Sequence, residues 1–404
     1  MKRKTKIIAT IGPATQEPDM LRQLIEAGVN VFRLNMSHAA HDWVRTVSGH
    51  IRSLSAQLGI PTSVLMDLQG PSIRTGDLET PIDIALGDTV EFRPRETSPN
   101  HPVSLTSNYQ TLADDVEVGR ILLVDNGVLR FDIDSIGNGR VVCKAKNEGT
   151  LTSRRHINLP GVRLNLPALT EKDRADVALA AKLKLDFVAL SFARSAEHLS
   201  ELRQLLTASG SDAWIVAKIE DQQAVENIED IIRKADGVMI ARGDLGIECS
   251  IEELPIIQRR TLERCIRIGK PVIVATHMLE SMIENPVPTR AEVTDVANAV
   301  FEETDAVMLS GETTVGNFPV RCIQVLDRIS RRIEKSGGAG YAVKAELVSE
   351  DQKTVNAAVT LADSLEGSAI VVFTRTGGMA QFTSQLRPSS APIFAFAPDR
   401  EKAN

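Results

Sequence analysis

The sequence is short of the residues that mark several protein classes. Aromatic side chains make up only 4% of its 404 residues. A core must therefore be built from aliphatic residues, as in α/β proteins. Four cysteines (Cys143, Cys249, Cys265 and Cys322) are scattered, with no Cys-x-x-Cys spacing. They read as reduced thiols of a cytoplasmic protein. No apolar run approaches the roughly 18 residues of a membrane span. The start, "MKRKTK", is basic, but the "IIATIGPAT" that follows is too short and too broken by Gly and Pro for a signal peptide. Positive charge is in deficit, with a net charge of −7. That argues against a nucleic-acid or anionic-membrane surface. There is no Walker A loop and no His-Glu-x-x-His, so a P-loop ATPase has no support.

What is present is 43% hydrophobic residues, enough for a large core in roughly two to three domains. Eight short apolar runs recur: "KIIATIG", "VNVFRLN", "SVLMDL", "DFVALSF", "WIVAKIE", "GVMIARGD", "PVIVAT" and "DAVMLSG". Helical patterns separate most of them, including 19–27, 171–183, 196–207 and 255–268, and Thr289 is placed to cap another. Eightfold strand–helix alternation predicts a (β/α)8 TIM barrel, with a doubly wound open sheet as the structural alternative. One interval breaks the rhythm. Alternating runs such as "TVEFRP" and "VLRFDID", with hairpin turns at Asn126-Gly127 and Asn138-Gly139, predict an inserted small β domain. It leaves from the C-terminal end of a strand, where it is placed to act as a lid. After "SGGAG" a small α/β unit with two clear strands follows. The division is a barrel over 1–74 and 156–335, an inserted β-barrel lid over 75–155, and a partial, truncated C-terminal α/β domain over 336–404.

The barrel strands run apolar and then turn polar at one end. Those ends carry Arg33, Asn35, Ser37, Asp67, Ser191, Lys218, Glu220, Asp244, Thr276, Ser310 and Glu312. Packing alone does not explain this, since packing favours Val and Ile. Period two places Val216, Lys218 and Glu220 on the inner face, and Ile215, Ala217 and Ile219 against the helices. An unpaired buried charge is very costly, so something in the mouth must answer Lys218 and Glu220. An internal salt bridge is one reading. The other is a site: Glu220 and Asp244 suit Mg²⁺, which takes few carboxylates plus water and substrate oxygens. Arg33, Arg74 and Lys218 add cations, as phosphoryl transfer or an anionic carboxylate-phosphate requires. The turn Gly243-Asp244-Leu245-Gly246 allows close backbone approach. Asn35, Ser37 and Asp67 offer oxygens for a monovalent cation, while His38 and His41 read as solvated loop residues.

The strings "KIIATIGPAT", "VFRLNMSH", "MDLQGPSIRTG", "AKIED", "MIARGDLGIE", "ATHMLESMIENPVPTRAEVTDVANAV" and "DAVMLSGET" closely resemble the pyruvate kinase family, in family order over about residues 6–320. The resemblance implies a barrel with a β lid and a C-terminal α/β domain. It implies phosphoryl transfer from phosphoenolpyruvate to ADP, giving pyruvate and ATP in glycolysis. It assigns Mg²⁺ to Glu220 and Asp244, and the transferring phosphoryl group and the enolate to Lys218. Arg33 resembles the phosphate-binding arginine, and Thr276 the threonine implicated in enolate protonation. The amides around Gly243 and Asp244 would receive the carboxylate. Asn35, Ser37, Asp67 and the Leu68 carbonyl match the K⁺ site. His38, Arg74 and Arg155 fall on the nucleotide side.

Several positions depart from the family pattern. Ser72 stands where the family usually has Glu or Lys, which bears on K⁺ dependence. Trp43, His277 and Asp221 replace a usual Tyr, Gln and Asn. "TRTGGMA" resembles only the start of the effector loop, and the short C-terminal unit weakens a contact of the family's usual homotetramer. Two other functions stay open on the residues alone: a non-catalytic phosphoenolpyruvate- or nucleotide-binding paralogue, and another barrel enzyme handling a pyruvate enolate.

Overall fold

The computed structural model describes residues 3–398. Met1 and Lys2 of the basic start, and 399–404 of the last unit, lie outside the described residues. The eight apolar runs form eight parallel strands: β1 (Lys6–Thr10), β2 (Val31–Asn35), β3 (Ser63–Asp67), β4 (Phe187–Leu190), β5 (Trp214–Ile219), β6 (Gly237–Ala241), β7 (Val272–Ala275) and β8 (Ala306–Leu309). They close into a barrel in sequence order, with β1 paired to both β2 and β8. The open-sheet alternative is thereby excluded. Both faces of these strands are covered, which is why they read as near-continuous aliphatic runs.

The two faces carry separate cores. Ile8, Leu65, Ala189, Val216, Met239, Ile273, Ala306 and Met308 fill the barrel interior. Ile215, Ala217 and Ile219 join the larger layer between strands and helices. The period-two reading of "WIVAKIE" holds residue by residue. The helices fall within a residue or two of expectation, at Pro18–Ala27, Glu171–Lys182, Ala196–Ala208 and Leu254–Ile268. Thr289 caps the helix Arg290–Phe301 in a full capping box with Glu292.

The insert leaves after β3. Its six-stranded sheet runs, in spatial order, through 157–158, 121–124, 129–137, 140–145, 89–94 and 103–107, with 82–84 and 149–151 paired beside it. Asn126 and Gly127, like Asn138 and Gly139, adopt positive φ, as tight hairpins demand. Phe92 and Phe131 meet edge-to-face at 5.7 Å in a core of the insert's own. The exit and return strands pair at Arg74 and His156, so one narrow hinge joins insert to barrel. The last unit holds the helix Glu350–Ser364 and two parallel strands, Ile370–Phe373 and Ile393–Phe396.

Gly12 in "ATIGPAT" shows how tightly the mouth is closed behind the site. A Cβ there would lie 2.7 to 2.9 Å from Thr314 Cβ, O and Cα. Gly49 lies inside the helix His41–Leu58 with nothing within 4 Å of a Cβ. Gly12→Ala should therefore destabilise the fold by about 1–3 kcal/mol through overpacking, whereas Gly49→Ala should stabilise it by about 0.5–1 kcal/mol. Urea unfolding midpoints of the two variants, moving in opposite directions, would check this.

Candidate active site

The strand ends converge on one buried cluster. Lys218 near the end of β5 sits between three oxygens: Glu220 Oε1 at 2.7 Å, Asp67 Oδ1 at 3.2 Å and Ser191 Oγ at 2.7 Å. Asp67 Oδ2 accepts from Arg33 Nε at 2.6 Å, and Arg33 Nη1 donates to Thr10 Oγ1 at 3.0 Å. Strands β1 to β5 thus each contribute to, or border, a single network. Arg33, Lys218, Asp67 and Glu220 are all at least nine-tenths buried. Two cations balance two anions, which makes so dense a set of buried charges tolerable.

Burial opposes the charge on Lys218, but Asp67 and Glu220 outweigh it and hold the ammonium above the usual lysine range. Asp67 feels the same balance in reverse: burial would raise it, and Lys218 and Arg33 bring it below the ordinary carboxylate value. Glu220 behaves differently. Burial pushes it up to about 7, Lys218 pulls the other way, and Asp244 adds like-charge repulsion. Its second oxygen accepts from the Phe192 amide at 2.7 Å, at a residue with φ of 52°.

Asp244 was expected in a turn at a strand end. It lies instead in the first turn of a short helix, Arg242–Glu248, that starts directly after β6. The four-residue Gly-Asp-Leu-Gly segment has no residue at positive φ, so its glycines fit a helix as readily as a turn. The charge of Asp244 still reaches Glu220, Lys218 and His156. Among the described residues no ion pair includes Asp244. Glu220 and Asp244 therefore form a pair of hard oxygen donors with a deficit of positive charge, the donor set that Mg²⁺ takes when water and substrate oxygens complete its shell. No group of three or more His, Cys, Asp and Glu side chains that could hold a metal occurs among the described residues. Mg²⁺ is commonly bound by one or two carboxylates, with water and substrate oxygens as its other ligands.

Thr276 follows β7 with φ of 68°, and His277 has 55°. Non-glycine residues rarely hold such angles without support. Arg242, which sequence reasoning did not single out, supplies it. Its Nε donates to the Ala275 carbonyl at 3.2 Å, its Nη2 to the Thr276 carbonyl at 2.5 Å, and its Nη1 pairs with Asp295 at 2.7 Å. The one signal for it was an arginine inside an otherwise apolar run, "VMIARGD". Thr276 Oγ1 donates to the Ala275 carbonyl at 2.6 Å and accepts from the Gly243 amide at 2.8 Å. That leaves Asp244, of the two expected carboxylate-binding amides, with its N–H unspent in the helix's first turn. Buried Glu312 is structural: it accepts from the amides of Leu279 at 3.0 Å and Ser310 at 2.8 Å, fastening the loop after β7 to that after β8.

The remaining candidates lie at the rim. Asn35 Oδ1 accepts from the Ser37 amide at 3.1 Å, and the Leu68 carbonyl accepts from Ser191 Oγ at 2.8 Å. Asn35 is in register with Asp67 across β2 and β3, and Leu68 follows Asp67, whose own oxygens are already shared by Arg33, Lys218 and Ser191. His38 is exposed after β2. His41, expected in a solvated loop, opens the helix His41–Leu58, and with its side chain 41% exposed it also reaches wholly enclosed Asp176 at 2.7 Å, which receives Lys172 as well. Arg74 and Arg155 lie on the paired hinge strands. Arg74 Nε donates to Ser72 Oγ at 3.3 Å, and Arg155 Nη1 pairs with Asp125 at 3.2 Å. The structure does not bring His38 into contact with either. Asp221 caps the helix Gln222–Glu226 and pairs with Arg194 at 2.8 Å, and Trp43 Nε1 donates to Gln16 at 2.7 Å.

Known proteins similar to this chain cover nearly its whole length. A family model described as pyruvate kinase, barrel domain, matches residues 2–323, and one described as pyruvate kinase, alpha/beta domain, matches 352–404. The pyruvate kinase of Geobacillus stearothermophilus is 41% identical over 98% of this chain and 68% of that protein. The pyruvate kinase of Borreliella burgdorferi is 38% identical over 98% of this chain and 82% of that one. A crystal structure of a pyruvate kinase from Cryptosporidium parvum superposes with a TM-score of 0.95 at 35% identity, covering 99% of this chain and 84% of that chain.

Behind the mouth, burial pushes Glu248 up to about 7 from 4.5, with Asn158 lowering it through a hydrogen bond. The folded chain thus holds an extra proton between these values. Its stabilising effect is complete below pH 4.5 and is lost as pH rises through 7. Glu248→Gln keeps the hydrogen bond and removes the titration. The wild type should lose on the order of 1–3 kcal/mol between pH 4.5 and 7.5 that the variant retains, measurable as a flatter profile of unfolding midpoint against pH.

Proposed function

The chain belongs to the pyruvate kinase family, and from that premise we propose that its barrel mouth transfers the phosphoryl group of phosphoenolpyruvate to ADP, giving pyruvate and ATP, with the roles set out below. The single observation that carries the assignment of roles is the Lys218 ammonium held between Asp67 and Glu220. Phosphoryl transfer asks for fixed positive charge where negative charge develops. Lys218 meets that need: Asp67 and Glu220 keep it protonated, and its position does not depend on solvent. Arg33, anchored by Asp67 and Thr10, adds a second cation to bind the phosphate.

Members of the family work with Mg²⁺ and K⁺. In this chain Glu220 and Asp244 would hold Mg²⁺. When bound, the ion supplies charge neutralisation on the substrate's phosphate and carboxylate oxygens. Asn35, Ser37, Asp67 and the Leu68 carbonyl would hold K⁺. Thr276 is placed to deliver a proton to the enolate through water: its hydroxyl is held by Ala275 and Gly243, and its backbone by Arg242. The Asp244 amide orients the substrate carboxylate. His38, Arg74 and Arg155 bind the nucleotide, two of them from the hinge, so that closing the insert (about 75–155) over the barrel excludes water. No helix among the described residues is long and apolar enough to cross a membrane. We place the enzyme in the cytoplasm, in glycolysis, as a homo-oligomer.

Lys218→Met should lower kcat by at least about a hundredfold, about 3 kcal/mol of barrier, with pyruvate release coupled to NADH oxidation as the readout. Unchanged turnover would refute the role. Chelation of the divalent ion should abolish turnover in the wild type, and omission of K⁺ tests the Asp67 cage in the same assay.

A further inference from the structure

The loop after β4 is tied to the loop after β5 at two adjoining points. The Phe192 amide donates to Glu220 Oε2 at 2.7 Å, and Arg194 Nε donates to Asp221 Oδ2 at 2.8 Å. The first tie fixes a carboxylate. Glu220 Oε1 is held by Lys218 at 2.7 Å, so with Oε2 on the Phe192 amide the group keeps one orientation. Its remaining lone pairs are the ones it can offer to a metal.

That amide reaches Glu220 from an unfavourable backbone. Phe192 has a φ of 52°, where the Cβ of a bulky residue crowds the following carbonyl. The chain is anchored on both sides of it. Ser191 Oγ accepts from Lys218 at 2.7 Å and donates to the Leu68 carbonyl at 2.8 Å, while the Arg194 carbonyl accepts from Asn227 Nδ2 at 2.8 Å. Relaxing Phe192 to a negative φ between these anchors would turn the 191–192 peptide and take its N–H off Glu220.

The Phe192 side chain carries what opposes that relaxation. The Arg194 guanidinium lies 5.4 Å from the centre of its ring, within the reach of cation–π attraction, which strengthens where water is excluded. Arg194 is 5% exposed and its partner Asp221 8%. Asp221 is itself fixed, because it caps the helix Gln222–Glu226 through the Ala224 amide at 2.8 Å. A buried ion pair by itself adds little stability, and pairing alone explains neither the ring beside the guanidinium nor the left-handed residue. We propose that Arg194 is a positioning residue of the metal site: it keeps Phe192 left-handed, and through the Phe192 amide it presets Glu220 for the divalent ion. The inference rests on the reading that Glu220 and Asp244 hold that ion. Arg194 acts through Phe192 and Glu220, as the outer partners of metal ligands do.

Mn²⁺ alone, a paramagnetic ion that takes carboxylate oxygens as Mg²⁺ does, is titrated into the full chain in K⁺ buffer, with free ion read by EPR. Saturable binding is expected in the wild type and its loss in Glu220→Gln. Arg194→Met should bind Mn²⁺ at least about tenfold more weakly, the lower end of the effect of outer partners. Arg194→Lys keeps the charge opposite Asp221 but not the planar guanidinium, and should bind at least about threefold more weakly; it decides the matter if Arg194→Met does not fold. Two truncations separate backbone from ring. Phe192→Gly adopts the left-handed angle freely and Phe192→Ala does not, so the glycine variant should bind at least about fivefold more tightly than the alanine one. In the Phe192→Gly background, Arg194→Met should cost no more than about twofold, because the two residues act as one unit. The proposal is overturned if the Arg194 variants lose only stability, with a lower urea midpoint and undiminished Mn²⁺ affinity. It is equally overturned by the same loss from Arg194→Met in both backgrounds, or by equal affinities of Phe192→Ala and Phe192→Gly. Failure of the metal-site reading looks different: the wild type would bind no Mn²⁺, or Glu220→Gln would bind it as well, and the inference would fall with it. No turnover enters the measurement.

Discussion

The structure depends on one buried ammonium. Lys218 is enclosed within the barrel, and only the oxygens of Asp67, Glu220 and Ser191 make that position tolerable. Each of those oxygens belongs to a different strand or loop, so the barrel must close in register for the charge to be answered. Arg33 then completes the set by sharing Asp67. A two-cation, two-anion network in low dielectric adds little net stability compared with an apolar core of the same shape. What it provides is fixed charge at the mouth without solvent, which is the condition for electrostatic stabilisation of a transferring group.

Around that network the chain spends strain and buried polar groups on the loops. Thr276 and His277 hold left-handed backbone angles because Arg242 and Asp295 fasten the loop from behind. Glu312 fastens the same loop from the β8 side. Phe192, also left-handed, turns its amide onto Glu220 and its ring under Arg194. One strained residue thus joins Glu220 to Arg194.

Much of the architecture could be read from residue pattern. The eight aliphatic runs, the hairpin dipeptides and the capping threonine are local signals whose cause is local: steric preference, backbone conformation and one hydrogen bond. The inner and outer faces of β5 followed from alternation alone. Asp244 was less legible, because a Gly-Asp-Leu-Gly segment satisfies a turn and a helix start equally well. The partner of His41 was not legible, because Asp176 lies more than a hundred residues away. Arg242 gave only a weak signal, since a single arginine in an apolar run is as compatible with a surface as with a buried clamp.

Residue order alone settles the elements, their succession, the barrel, and the residue types gathered at the strand ends, because periodicity and turn chemistry act over a few residues. Which charges meet is settled by the closed fold. It paired Lys218 with Asp67 across about 150 residues of chain and left Asp244 without an ion-pair partner among the described residues. Coulomb energies and desolvation depend on distance and burial, and these exist only once the chain has closed on itself.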